Sequence, residues 1–246
     1  MAELHEGTAP ARVERITFDG HGGVTVEAIH ARPEGAPARG LVLHPDIGGV
    51  RPLFDDLCRR VATHGLAVCA PEPWARIPQA IRAQLDVDAR LARMGERDDT
   101  AQLDDLVRAA EYLRTTDGVR DIAVLGFCMG GMYALKAAST GVFDKAVVFY
   151  GMIRVPDDWR GPGQREPLDT ASDACPTLAF FGTADPFTPA GDIEALRAAW
   201  SGHPEHEIVV YADAEHGFVH DPTRAAHRAD DAADAWHRTL AFLGAS

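Results

Sequence analysis

Short apolar runs alternate with amphipathic stretches along most of this chain. Val13–Phe18 and Val24–Ala31 read as two opening strands, and the turn-rich Asp19-Gly20-His21-Gly22-Gly23 between them suits a hairpin. Further strands are expected at Leu41-Val42-Leu43, Leu66–Ala70, Ile122–Gly126, Lys145–Tyr150, Thr177–Phe181 and Glu207–Tyr211. Helical patterns fall between and after them, over Leu53–His64, Thr100–Arg114, Met129–Ser139, Asp192–Trp200 and, at the end, about Arg224–Leu243. Such alternation predicts an α/β fold, a mostly parallel sheet with helices on both faces. Two stretches break the rhythm: Glu72–Asp99, with its prolines and many charges, and Gly151–Pro176, rich in Pro, Gly and Asp. Loops of that length read either as a lid or substrate wall or as plain surface insertions.

The chain has 246 residues, 46% hydrophobic and 25% charged, and a formal charge of −13. A chain of this size buries roughly 70–75% of its unfolded surface, so one domain spanning residues 1–246 is expected and disorder is not. The acidic balance argues against nucleic acid and anionic membrane as partners. No apolar run approaches the roughly 20 residues that span a bilayer. The opening Met1-Ala2-Glu3-Leu4-His5-Glu6 lacks the basic start and apolar core of a secretion signal, which points to a soluble cytoplasmic protein. Cys58, Cys69, Cys128 and Cys175 are widely spaced without a CxxC pair, so they read as reduced thiols and form no zinc pattern.

One cysteine stands in a different context. Ile122-Ala123-Val124-Leu125-Gly126-Phe127-Cys128-Met129-Gly130-Gly131 is an apolar strand, a sharp small-residue turn and the start of a helix. That pattern matches the nucleophile elbow of α/β-hydrolases, with Cys in place of the usual Ser. At a helix N-terminus the dipole favours a thiolate, and free N–H groups can bind an oxyanion. The plain alternative, a buried inert thiol, fits Cys58, Cys69 and Cys175 better than Cys128.

A nucleophile of this kind needs an acid and a histidine after later strands, in that order. Asp185 follows the Phe180-Phe181-Gly182 strand end in a Gly/Pro loop, and His216 follows Tyr211 beside Gly217. Each alone reads as a turn residue; together, in this order, they read as orienter and base. His216 and His220 are four apart, but Gly217, Phe218 and Val219 between them give no H-E-x-x-H, so no metal is expected. His203, His206, His227 and His237 read as solvated. Backbone N–H groups of Met129 and Ile47 are the expected oxyanion donors. Asp46, beside Ile47, would either hold the thiol in a resting orientation or cap the next helix.

The elbow Gly126–Gly131, the loop Gly182–Pro189, the segment Ala214–Phe218 and the early Pro45–Val50 together resemble dienelactone hydrolases, from about Arg39 to the C-terminus. The resemblance implies a single-domain α/β-hydrolase that hydrolyses an unsaturated lactone bearing a carboxylate, on a route that degrades aromatic compounds. It also implies a Cys-His-Asp triad, no cofactor and a monomer, although the residues alone leave a dimer open. The family carries Glu where this chain has Asp46, and there it keeps the thiol neutral until substrate binds. It binds the substrate carboxylate with arginines, one of them four residues after the catalytic His, where this chain has His220. The other arginine comes from the irregular stretch, where Arg76, Arg82, Arg90 and Arg93 are all candidates. Hydrolysis of another small ester or thioester, and a catalytically silent scaffold that binds a small ligand, are the rival readings.

Overall fold

The structure, a computed structural model, describes residues 4–245, so the expectation drawn from the opening residues falls partly outside the described residues. Eight strands are found among the described residues: β1 (Ala11–Asp19), β2 (Thr25–Pro33), β3 (Arg39–His44), β4 (Leu66–Pro71), β5 (Ile122–Phe127), β6 (Lys145–Phe149), β7 (Thr177–Gly182) and β8 (Glu207–Tyr211). They form one sheet in the order β1-β2-β4-β3-β5-β6-β7-β8. The hairpin is present, with Val13 opposite Ala31, and β2 also runs antiparallel to β4. From β4 through β8 every pairing is parallel, in registers such as Val42 with Val124 and Val147 with Leu178. This is the α/β-hydrolase arrangement that the elbow pattern predicts.

The helices are α1 (Pro52–Ala62), α2 (Gln79–Arg82), α3 (Val87–Leu91), α4 (Asp99–Asp117), α5 (Met129–Ala137), α6 (Ala190–Ala199) and α7 (Ala229–Leu243). α1 packs on β1, β2 and β4, α4 on β3 and β4, α5 on β5 and β6, and α7 on β7. β4, β5 and β7 are buried at every residue, as strands covered on both faces must be. A row of stacked rings crosses the centre: Phe127 to Phe149 at 4.8 Å and Phe149 to Phe180 at 4.9 Å, closed by Trp236 of α7 at 5.2 Å from Phe149. Each fully buried ring stabilises the fold by about 1.5–3 kcal/mol relative to exposure.

Two expectations are corrected here. The stretch 72–99 is not wholly irregular, because it contains α2 and α3, the latter capped by Asp86 accepting from Ala89 N at 2.8 Å. The last helix starts at Ala229 and not near Arg224, since residues 224–228 form turns and Arg228 N donates to Phe218 O at 3.0 Å. The second long stretch is pinned from below. Arg165 N donates to Asp99 at 2.7 Å, and the same carboxylate pairs with Lys136 of α5 at 2.8 Å, with both side chains 4% exposed. No helix of the described residues is long and apolar enough to cross a membrane.

Candidate active site

The parallel strands deliver their following loops to one end of the sheet, where ligands bind in open α/β folds. β5 ends at Phe127, and the chain turns into α5 through Cys128, which is held at φ 56°, ψ −121°. A non-glycine residue rarely adopts that conformation, which turns the thiol out of the strand line. Its amide is tied to Phe149 O at 3.0 Å. The turn depends on missing side chains: a Cβ on Gly126 would lie 2.0 Å from Gly130 O, and one on Gly130 only 2.3 Å from His44 O. The loop after β3 therefore lies directly against the start of α5.

The loops after β7 and β8 bring Asp185 and His216 together, 31 residues apart in sequence. His216 Nδ1–H donates to Asp185 Oδ2 at 2.8 Å, and Asp185 Oδ1 accepts Phe187 N at 2.8 Å. Burial pulls the His216 pKa down, but the nearby Cys128 sulfur and the bond to Asp185 outweigh it and push it up to about 10. Burial drives the Cys58 and Cys69 thiols far up, and Cys175 up to about 11.

The amides of Ile47 and Met129 donate to no protein acceptor among the described residues. Ile47 is fixed instead through its carbonyl, which accepts Trp74 Nε1 at 2.8 Å.

Asp46 is engaged on every side. Its Oδ1 accepts Arg51 Nη1 at 2.6 Å and Gly48 N at 2.9 Å, and its Oδ2 accepts Arg51 Nη2 at 2.8 Å and His220 Nε2 at 2.7 Å. Burial raises its pKa, but His220 and Arg51 more than reverse that and hold it well below the usual carboxylate range. Among the described residues neither a helix N–H nor the Cys128 thiol is one of its hydrogen-bond partners. His220 is buried, which lowers its pKa and leaves it neutral. Since Nε2–H donates to Asp46, Nδ1 accepts the Tyr150 hydroxyl, at 2.5 Å.

The candidate arginines separate. Arg76 faces away, paired with Asp105 at 2.6 Å, and Arg93 is paired with Glu96. Arg82 and Arg90 line a cleft of about 930 Å³ together with Arg51 and Glu72. Arg82 is taken by Glu27, whereas Arg90, 8% exposed, keeps a buried Nη1 without a partner among the described residues. Neither Cys128 nor His216 lines this cleft, and Arg51 is the side chain it shares with the Asp46 cluster.

Sequence reasoning missed Arg51 and Arg224. Arg51 lies close enough to Cys128 to feel its charge, and Arg224 Nη2 contacts His216 O at 3.4 Å. An Asp followed five residues later by Arg across a glycine turn is the one signal that pointed to Arg51; nothing in the spacing pointed to Arg224.

Both His220 nitrogens and Nδ1 of His216 are hydrogen-bonded to side chains. The cluster His203, Glu205 and His206 sits in the turn before β8, at the opposite end of the strands.

Residues 26–246 match the family model described as "Dienelactone hydrolase family", a match that begins within β2. The chain is 31% identical over 228 residues to "Putative carboxymethylenebutenolidase" of Escherichia coli K12, covering 90% of this chain and 83% of that one. It is 30% identical over 225 residues to "Carboxymethylenebutenolidase" of Rhodococcus opacus, covering 89% and 85%. Among solved structures, "Putative Dienelactone Hydrolase" from Klebsiella pneumoniae superposes with a TM-score of 0.86 at 28% identity, over 95% of this chain and 98% of that one.

Proposed function

The chain belongs to the dienelactone hydrolase family, whose members are ester and lactone hydrolases, and from that premise we propose that it cleaves a small unsaturated lactone or activated ester through Cys128. The observation that carries this reading is the Asp185–His216 pair at 2.8 Å, within electrostatic range of Cys128 at the elbow. His216 takes the thiol proton, and the thiolate attacks the carbonyl carbon, forming a C–S bond. The amides of Ile47 and Met129 receive the oxyanion. On collapse the C–O bond breaks, and His216 returns the proton to the departing oxygen. His216 then takes a proton from water, the hydroxide adds to the thioester carbon, and collapse breaks the C–S bond, releasing the carboxylic acid while His216 returns its proton to the Cys128 sulfur. A thiolate is itself easily expelled, so substrates with an enol or phenol leaving group suit this site better than amides.

Arg51 and the unpartnered Nη1 of Arg90 support an anionic substrate, because a buried guanidinium edge attracts a carboxylate. A different small ester or thioester is the second reading, favoured by His220: neutral and held by Asp46 and Tyr150, it offers a substrate carboxylate no charge. Both readings are tested together. Cys128→Ala and iodoacetamide treatment should each abolish hydrolysis of p-nitrophenyl acetate and of an unsaturated lactone carboxylate. Arg51→Met should cost about tenfold more in kcat/KM on the carboxylate than on the neutral ester. Equal losses on the two substrates would move the assignment to a neutral ester. Retained activity without Cys128 would remove the nucleophile, and inactivity of the unmodified protein on a broad ester panel would favour a silent binding scaffold.

A further inference from the structure

The Tyr150–His220–Asp46–Arg51 chain of hydrogen bonds takes no part in the acyl-transfer steps, yet it is bonded throughout and its first three members are buried. An ionised carboxylate has about four acceptor sites. Asp46 fills them with two N–H groups of Arg51, one backbone N–H and His220. His220 is the only one of these partners that comes from the base loop, reaching 174 residues back along the chain. It is gripped in turn. Its ring stacks on Phe127, the residue before Cys128, at 4.9 Å, and its Nδ1 accepts from Tyr150.

Tyr150 is itself unusual. Its φ of 40° is costly for a residue with a Cβ, about 1–3 kcal/mol, and such strain persists only where the surroundings demand it. The strained backbone aims the hydroxyl at His220 and sets the ring edge-on to the His216 imidazole, 5.3 Å between centroids. One pair of side chains thus touches the base, the residue beside the nucleophile and the loop that carries Ile47. Tyr150 also lies within electrostatic range of both Asp46 and Cys128.

We propose that His220, steadied by Tyr150, is a positioning residue: it holds the Asp46 loop in register with the base loop, and by filling the last acceptor site of Asp46 it keeps that carboxylate from binding the Cys128 thiol. The resting thiol is then controlled by His216 alone. The proposal rests on Cys128 being the nucleophile.

The test uses the whole protein and reads kcat and KM for p-nitrophenyl acetate, together with the rate of Cys128 alkylation by iodoacetamide without substrate. His220→Phe keeps a flat ring but removes both hydrogen bonds. It should lower kcat by about tenfold with KM nearly unchanged, and slow alkylation by about the same factor. His220→Gln, which can donate to Asp46 and accept from Tyr150, should recover most of both losses. Adding Asp46→Asn to His220→Phe should restore alkylation but not kcat, since the competing carboxylate is gone while the loop remains unsupported. A folded His220→Phe protein with unchanged kcat and alkylation overturns the proposal, as does failure of the Asn substitution to restore alkylation. If His220→Phe does not fold, Tyr150→Phe decides: a loss of about threefold in both readings supports the role, and no loss overturns it. Failure of Cys128 to alkylate in the unmodified protein would instead defeat the assignment of the nucleophile and this proposal with it.

Discussion

Asp185 holds His216 through one carboxylate oxygen and the backbone of Phe187 through the other, both at 2.8 Å, so the imidazole is anchored to main chain through a single side chain. Asp185→Asn keeps the shape but can present an N–H to Nδ1 and favour the wrong tautomer. We expect kcat on p-nitrophenyl acetate to fall by about 10²–10⁴. A loss below about threefold would show that the acid is dispensable for orientation.

The pH dependence of stability should report the same pair. The folded protein raises the His216 pKa from its ordinary 6.5 to about 10. A raised histidine stabilises the fold fully below its unfolded value and loses that contribution as pH climbs through the folded value. The thermal midpoint of the native protein, measured against His216→Asn, should therefore stand highest near pH 6 and converge toward it between about pH 7 and 10. A difference that stays constant over this window would contradict the raised value.

Gly130→Ala should separate the oxyanion site from the nucleophile. The new Cβ would fall 2.3 Å from His44 O and 2.4 Å from Pro45 O, so the loop bearing Ile47 has to retreat. Loss of one oxyanion donor lowers kcat by about 10²–10³. Alkylation of Cys128 should persist in the same variant. If kcat is unchanged, the Ile47 amide is not an oxyanion donor.

Lys136→Met tests the anchor of the second long loop. Removing one member of a buried ion pair leaves the other charge stranded, at a cost of about 3–5 kcal/mol. Denaturant melts should show that loss, and limited proteolysis should cut first within 151–176, where Arg165 N shares the Asp99 carboxylate. Combining Lys136→Met with Asp99→Asn should be milder than Lys136→Met alone; an equal or larger loss would mean that the charge left behind is not the cause.

The elements and the elbow were legible because they are local. Strand, glycine turn and helix around Cys128 follow one another in sequence, and the loops with Asp185 and His216 each begin at the end of an apolar run that is a strand. Strand existence held throughout, with ends moving by one or two residues. Side chains whose meaning depends on distant partners were not legible. The sequence leaves Asp46 between thiol holder and helix cap, because its capture by His220 requires two loops 174 residues apart to meet. Arg76 looked as suitable as Arg90, and only the folded position of Asp105 removes it. The first turn of the last helix was misplaced for a similar reason, since the bond from Arg228 N to Phe218 O is tertiary.

The scarcity of lysine has a practical consequence. Of 24 basic residues only Lys136 and Lys145 carry a primary amine on the side chain. Lys145 is half-buried with its Nζ on Phe242 O, and Lys136 lies beneath the loop that Asp99 secures. An acylating reagent or an amine cross-linker therefore reaches Lys136 only when that loop lifts. The rate at which this one side chain is acylated in the native protein becomes a clock for local opening, readable by mass without any engineered label.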